Sequence, residues 1–396
     1  MQLHHGSLFW PTTVTEPPTF PELTSSITCD VLIIGGGMSG SILAKTLADY
    51  HVDTVLIEKD TIGSGSTSAN TGLLQFSNDA MLVDLIDRFG KEKAVYFYKL
   101  CLKAIDELEK VAGSLSESAE FKRAESLYFA SNDHHVKKLK KEYEALTHHG
   151  FEADYIDRHA IESLFSFTAP AGIYTKSEAE VNPYKFALAL TSGARELGLR
   201  VFEHTEILSH QFNKNDLIFE TEKGEIRAKH VIYATGYGTQ EFAKTKGALL
   251  ERTYTIATEP IPKFPGWHNQ ALIWETDRPY YYLRTTADHR ILIGGLDSNL
   301  KKEEKLEQQG QLLLTKLHEM FPSIQTSIAY EWSAIFGSTK DGLPYIGKHP
   351  KYEGVYFMLG YGGNGTVYSM LGAEILKDLI LYDHHPAMEI TRLNRS

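Results

Sequence analysis

The chain has 396 residues, 42% of them hydrophobic and 23% charged, with a formal net charge of -11. That length exceeds what one hydrophobic core usually organises, so two domains are expected, and the composition is that of a globular enzyme. The negative balance argues against nucleic acid or an anionic membrane as main partner, and the two cysteines, Cys29 and Cys101, can build neither a disulfide framework nor a cysteine metal site.

Residues 1–27 read as a leader. No basic segment feeds an apolar core, as a secretory signal would require. The Pro-rich stretch 10–23 is expected to lie extended over a domain surface, anchored by Phe9 and Trp10. No apolar run reaches bilayer length, so a soluble cytoplasmic protein without a membrane span is expected.

Residues 31–34 form a strand pattern that runs directly into Gly35-x-Gly37-x-x-Gly40. Helical spacing follows over 40–50 at Ile42, Leu43 and Leu47, and a second strand over 54–57 ends at Glu58-Lys59. That order is how a βαβ unit holds an adenine dinucleotide. Gly35 permits the tight turn, Gly37 leaves room for the pyrophosphate, and Gly40 lets the helix pack closely on the sheet. Amides at the helix N-terminus face the phosphates. Glu58 is placed to accept both ribose hydroxyls, and its charge disfavours a 2′-phosphate. The Gly, Ser, Thr and Asn tract over 63–72 has linker composition. Following the acid-bearing strand, its amides and hydroxyls are also placed to wrap a second phosphate or a sugar chain.

Residues 81–150 read as helical and amphipathic, with Phe97, Leu100, Ile105 and Leu108 on one apolar face. The basic stretch within it, 134–144, is a solvated helix surface. A helix over 186–197 leads to strands at 199–205, 207–212, 217–222 and 226–233. The last ends in Ala234-Thr235-Gly236, a small-residue turn that lets backbone approach a cofactor. Residues 253–335 are rich in strand formers and aromatics, interrupted by one helix over 303–321, and read as an antiparallel sheet of a second domain. A strand over 355–359, the glycine turn 360–365 and a helix over 367–381 close the chain. That late helix N-terminus suits the electron-rich pyrimidine end of a flavin, which favours a resident flavin over a visiting nicotinamide.

The segments 30–40 and 63–75, Glu180-Val-Asn-Pro183 and Ile232-Tyr-Ala-Thr-Gly236 belong to a larger pattern. So do Tyr282-Leu-Arg-Thr285 with Gly294-Gly295, Thr339-Lys-Asp-Gly-Leu-Pro344 and Gly360-Tyr-Gly-Gly-Asn-Gly365. Together they resemble the FAD-dependent amine and amino-acid oxidoreductases of the D-amino-acid-oxidase fold group, across nearly the whole chain. The resemblance implies an α/β fold with a Rossmann-like FAD domain assembled from segments 28–80, 169–245 and 337–396. It implies a second, α+β substrate domain from 81–168 and 246–336, whose antiparallel sheet roofs the flavin. Phosphate contacts would come from Gly37, Met38, Ser39 and Gly40 and from Ser66, Thr67 and Ser68. Flavin-ring contacts would come from Gly72, Leu73, Leu74 and Gln75 and from Gly362, Gly363, Asn364, Gly365 and Thr366. The late motifs hold no cysteine and 66–72 no histidine, so the FAD is expected to be non-covalent.

The implied reaction oxidises the C–N bond of a small amine to an imine by hydride transfer to flavin N5. Hydrolysis of the imine and reoxidation of the flavin, by oxygen or another acceptor, follow. Members such as glycine oxidase carry an arginine for the substrate carboxylate in the strand before the Thr-Lys-Asp-Gly turn; here Phe336 stands there. Phenylalanine cannot form a bidentate clamp. Either Arg284 takes over the anchor, or the substrate lacks an α-carboxylate, as a polyamine derivative does. The Thr258-Glu-Pro260 stretch is also like that of gamma-glutamylputrescine oxidase. Trp274, Tyr280, Tyr282 and Phe336 line an amine channel or pack the sheet. Tyr361 is a pocket candidate beside the flavin-facing glycines, Lys340 either tunes oxygen reactivity or meets solvent, and Glu259 is a candidate for orienting an ammonium. Two other readings stand beside this one: an amino-acid oxidase of glycine or sarcosine type, and an FAD-containing binding protein without turnover. No metal site is expected.

Overall fold

The structure is a computed structural model in which residues 3–213, 216–237, 248–300, 305–359 and 362–395 are described. The leader is pinned by β1 (His4–Gly6), which joins a sheet edge, and by Phe9 and Trp10, both buried as anchors should be. The apolar run of β2 (Ile27–Ile34) feeds α1 (Met38–Asp49) and then β3 (Thr54–Ile57), the expected βαβ unit. After α2 (Ser66–Ala69) and β4 (Leu73–Leu74) come α3 (Leu82–Phe89) and α4 (Lys91–Ser114). The helical pattern expected over 81–150 is broken by β5 (Lys122–Phe129) before α5 (Asp133–His148). Ser126 to Phe129 is buried on both faces, which erases the alternation that marks a strand.

Next are β6 (Ala153–Asp157), α6 (Arg158–Leu164) and β7 (Ala171–Glu180). Helix α7 (Pro183–Glu196) begins three residues before the expected start, because Asn182 caps it by accepting from the Lys185 N–H at 3.1 Å. Pro183 suits its first turn. Strands β8 (Arg200–Phe202), β9 (Ser209–Asn213), β10 (Asp216–Glu220) and β11 (Glu225–Tyr233) follow. The chain continues with β12 (Ala248–Thr258), β13 (Leu272–Glu275), β14 (Tyr282–Thr285) and β15 (Ile291–Asn299). It closes with α8 (Leu306–Met320), β16 (Ile328–Thr339), β17 (Tyr345–Lys348), β18 (Val355–Leu359), α9 (Gly365–Tyr382) and α10 (Met388–Thr391).

One sheet runs β17-β18-β11-β2-β3-β8, with β10 and β9 continuing from β11. Its central strands are parallel, and α1 packs on it between α7 and α9. Val31 and Ile33 face the α1 side, whereas Leu32 and Val55 pack on the other side with Leu217 and Phe219. The second sheet runs β1-β16-β12-β15-β14-β13-β5-β7-β4, with β6 beside β7. It is antiparallel except where β13 meets β5. Helix α8 seals its outer face through Leu313 and Leu317 against Ile256 and Ile293. Its inner face turns toward the first sheet: Trp332 donates its indole N–H to the Ala69 carbonyl of α2 at 3.0 Å.

The fold is thus α/β, and the parallel sheet gathers strands from distant parts of the chain. Segment boundaries and sheets do not coincide, however. Strand β7, inside the 169–245 stretch assigned to the FAD side, pairs in the second sheet, as do β4 and the leader's β1. Strand β16 also runs past the 336 boundary to Thr339. The physical reason is that the chain crosses between sheets at Gly72 and again at Asn182. Among the described residues no helix is long and apolar enough to cross a membrane. Within the same residues no group of three or more His, Cys, Asp or Glu is placed to hold a metal ion. Both cysteines are buried thiols, and burial pushes Cys29 up to about 12.

Candidate functional site

Past β2 the backbone turns at Gly35 with φ +111, a conformation that excludes most side chains. A Cβ on Gly40 would overlap the Gly35 carbonyl oxygen, so only glycine lets α1 seat this close to the strand. Gly37, which has no side chain to cap with, is the N-cap of α1, and no acid sits in the first turn of that helix. Its N-terminus opens on a cleft walled by Ser39, Glu58, Ser66, Thr67, Thr235 and Thr366, among others. Thr67 reaches across to accept the Met38 N–H at 2.8 Å, tying α2 to α1. The Ser66 hydroxyl is buried in this wall without a hydrogen-bond partner. A buried hydroxyl left without a partner carries a desolvation cost that an entering acceptor removes.

Glu58 follows β3. Its carboxylate accepts the Gly36 N–H at 2.7 Å and the Asp60 N–H at 3.0 Å. Burial pushes its pKa up, and those two amides work against the rise. Each oxygen keeps a second lone pair, enough for two hydroxyls of a ribose. Lys59 lies exposed at the rim, while Ala234 and Gly236 form the wall where β11 ends. Gly35, Gly37, Met38, Ser39, Glu58, Lys59, Ser66, Thr67, Ala234, Thr235, Gly236, Gly365 and Thr366 all line this one cleft. Gly40 serves from behind, and Ser68 turns its hydroxyl to the Ser64 and Gly65 carbonyls instead.

The remaining glycine turns meet beyond that cleft. Asn364 donates to the Gln75 carbonyl at 2.8 Å and to Asn78 Oδ1 at 3.0 Å. Gly363 N–H donates to Asp79 Oδ2 at 2.8 Å. Leu73 and Leu74 pair with β7, and Gly72 takes φ +74, where a Cβ would overlap the Val181 carbonyl oxygen. The stretches 72–75 and 362–366 are therefore adjacent. Tyr361 lies outside the described residues.

Register places the sheet's inner face. Trp274 pairs with Tyr282, Tyr282 with Gly294, Gly294 with Thr255 and Thr255 with Trp332. Side chains of such direct pairs share a face, and residues two apart along a strand share it too. Trp274, Tyr282, Arg284 and Phe336 accordingly all share the inner face with Trp332. Trp274 stacks on Tyr128 with ring centroids 3.8 Å apart, a packing role. Tyr282 lies across Gly294, where any Cβ would run into its ring. Phe336 stands opposite Glu251.

Three expected site residues are placed differently. Arg284 is 2% exposed and donates to the carbonyls of Gly72 and Val181, each at 2.9 Å, and to Thr285 at 2.9 Å. With Glu180 3.5 Å away, it fastens the crossover at Gly72 instead of waiting for a carboxylate. Glu259 is exposed beyond the far end of β12, 3.6 Å from Arg290. At strand rise it lies ~25 Å along the chain from Glu251. Lys340 is exposed on the turn after β16, and its carbonyl accepts from Arg88 at 3.2 Å.

The inner face instead gathers groups without a sequence motif. Tyr280 donates to Asp79 Oδ1 at 3.1 Å and carries the Arg278 guanidinium 4.5 Å from its ring centre. Asp297 sits beside Thr253 and Tyr282. Burial pushes its pKa up to about 6, Thr253 works against the rise, and Glu251 and Asp79 add to it. The Gly294-Gly295 pair was the one available signal, since glycines inside a strand often mark a bulge.

A family model described as DAO, FAD dependent oxidoreductase, matches residues 30–379. A Bacillus subtilis protein provisionally named a Rieske 2Fe-2S iron-sulfur protein is 25% identical, over 96% of this chain and 73% of its own. The gamma-glutamylputrescine oxidoreductase of Escherichia coli is 26% identical, over 96% of this chain and 90% of its own. The crystal structure of glycine oxidase from Geobacillus kaustophilus superposes with a TM-score of 0.79 at 21% identity, covering 93% of this chain and 99% of that one.

Proposed function

The chain belongs to the DAO family of FAD-dependent oxidoreductases, and from that premise we propose that it oxidises the C–N bond of a small amine lacking an α-carboxylate. FAD, the family's cofactor, fits the residues present: the N-terminus of α1 with glycine at its N-cap and no acid in its first turn, the unpartnered Ser66 hydroxyl and Glu58. When bound it supplies the two-electron acceptor. The chain's own residues bind, orient and shield. The apolar and aromatic inner face of the second sheet excludes water from the reacting carbon. Tyr282 and Phe336 orient the alkyl part of the substrate, and the family chemistry then leaves an imine for hydrolysis.

The observation that carries this reading is the pairing of Phe336 with Glu251. An apolar ring beside an acid repels a substrate carboxylate and favours a cation. Arg284, committed to backbone carbonyls, offers no compensation. Oxygen as final acceptor and a cytoplasmic location are part of the same proposal. Relatives named glycine oxidase support oxygen, while the iron–sulfur relative leaves a protein acceptor as the alternative outcome of an oxygen-uptake assay.

A second reading, oxidation of an amino acid of glycine or sarcosine type, is favoured by one observation: the Arg278 guanidinium against Tyr280. Anaerobic stopped-flow mixing separates the two. The holoprotein should be reduced by primary amines at least tenfold faster than by glycine or sarcosine. The reverse order would assign the enzyme to amino acids and Arg278 to their carboxylate.

A further inference from the structure

Strand β15 contains a bulge. Gly295 pairs with Tyr254 and Ser298 with Arg252, so Leu296 and Asp297 together oppose the single residue Thr253. Leu296 takes φ +57, a left-handed conformation that costs a branched side chain of this size energy. Bulges re-aim side chains. In unbroken alternation Asp297 would point to the α8 side with Gly295. Instead Leu296 packs on that side, and Asp297 turns to the inner face beside Thr253 and Tyr282.

The carboxylate it delivers there is incomplete. Asp297 Oδ1 is shut off from solvent and has no hydrogen-bond partner. Asp79 nearby is different, with Gly363 N–H on one oxygen and the Tyr280 hydroxyl on the other. Glu251 on the adjacent strand adds negative potential, and Tyr280 already holds one cation against its ring. A half-buried carboxylate among tyrosine faces, with one oxygen lacking a donor, suits an ammonium group, which brings both charge and N–H donors.

We propose that Asp297 binds the ammonium of the substrate that is not oxidised, so that the substrate class is a diamine or a longer polyamine. This inference rests on the amine-oxidase reading above. The two nitrogens have opposite needs. The reacting nitrogen must be a free amine with its lone pair available, and a carboxylate contact would hold it protonated. The second nitrogen gains from that contact. Asp297 is then a specificity-determining residue, and Glu251 extends the acidic lining for a longer chain.

The test uses the FAD-loaded enzyme and its Asp297→Asn variant, an isosteric change that keeps the bulge. Both are mixed anaerobically with 1,4-diaminobutane and with n-butylamine, and the apparent Kd and limiting rate of flavin bleaching are recorded. The wild type should bind the diamine at least tenfold more tightly than the monoamine. Asp297→Asn should erase that preference, raising the diamine Kd tenfold or more while leaving the monoamine Kd and limiting rate within twofold. Its flavin spectrum should be unchanged and its melting temperature equal or higher, since a carboxylate oxygen shut off from solvent without a donor is removed. A variant that keeps the diamine preference, or loses both amines equally, would overturn the assignment of Asp297 alone. A wild type bleached by no amine would sink the amine reading and this inference with it.

Discussion

Glu58 and Asp297 are both carboxylates pushed upward in pKa by burial, yet their surroundings give them different work. Glu58 is held by two backbone amides and keeps spare lone pairs toward the cleft. Glu58→Ala should therefore weaken FAD binding by roughly 1.5–3 kcal/mol, at least tenfold, because charged acceptors of two hydroxyls are lost. Equilibrium dialysis of FAD measures this, and an unchanged affinity would remove Glu58 from the ribose. Asp341 shows the opposite shift. Burial alone would raise its pKa, but the Arg395 guanidinium, at 2.6 and 2.9 Å, holds it below the ordinary value. Its contribution to stability is thus present above pH 3.8 and lost as pH falls through the lower folded value. Arg395→Ala should destabilise the fold by roughly 3 kcal/mol at neutral pH, the cost of breaking a buried pair. Urea unfolding should show the difference shrinking below pH 3.8; a pH-independent difference would assign Arg395 a packing role. Glu58 was legible in the sequence because its place after β3 is fixed by chain order. Asp297 was not, because only the bulge turns it inward.

At the scale of elements, α1 is held to the sheet by the absence of a single side chain. Gly40→Ala puts a methyl group into the Gly35 carbonyl, so the helix must retreat from β2 and carry its N-terminal amides away from the phosphates. The expected cost is roughly 1–3 kcal/mol from overpacking. Loss of FAD should accompany it, read as a lower melting temperature and free flavin fluorescence after gel filtration. Full FAD retention would mean that the close approach is dispensable. This unit was readable in advance because its glycines, strand lengths and acid are all local. Strand β5 was not, since its inner half is buried on both faces and resembles the helical segments around it. The bulge in β15 needs its partner β12 to define it, and pairing is not written locally.

For the whole molecule, two sheets are built from interleaved segments, and the cleft at the N-terminus of α1 and the adjoining turns at 72–75 and 362–364 draw on distant parts of the chain. Sequence order suggested blocks, but the crossings at Gly72 and Asn182 stitch the blocks together, with buried Arg284 fastening the first of them. Arg284 was one of two alternatives raised by Phe336, the other being a substrate without an α-carboxylate. Its carbonyl partners come from residues 71, 72 and 181, far away in sequence. At this scale the proposed chemistry is the conversion of an amine into an imine at the inner face of the second sheet. Its most direct test is an anaerobic titration of the holoenzyme with 1,4-diaminobutane, following flavin absorbance and the carbonyl product. Complete bleaching is expected at one equivalent of amine per flavin, with one equivalent of aldehyde formed on hydrolysis. A flavin that stays oxidised, or bleaches without aldehyde, would contradict it.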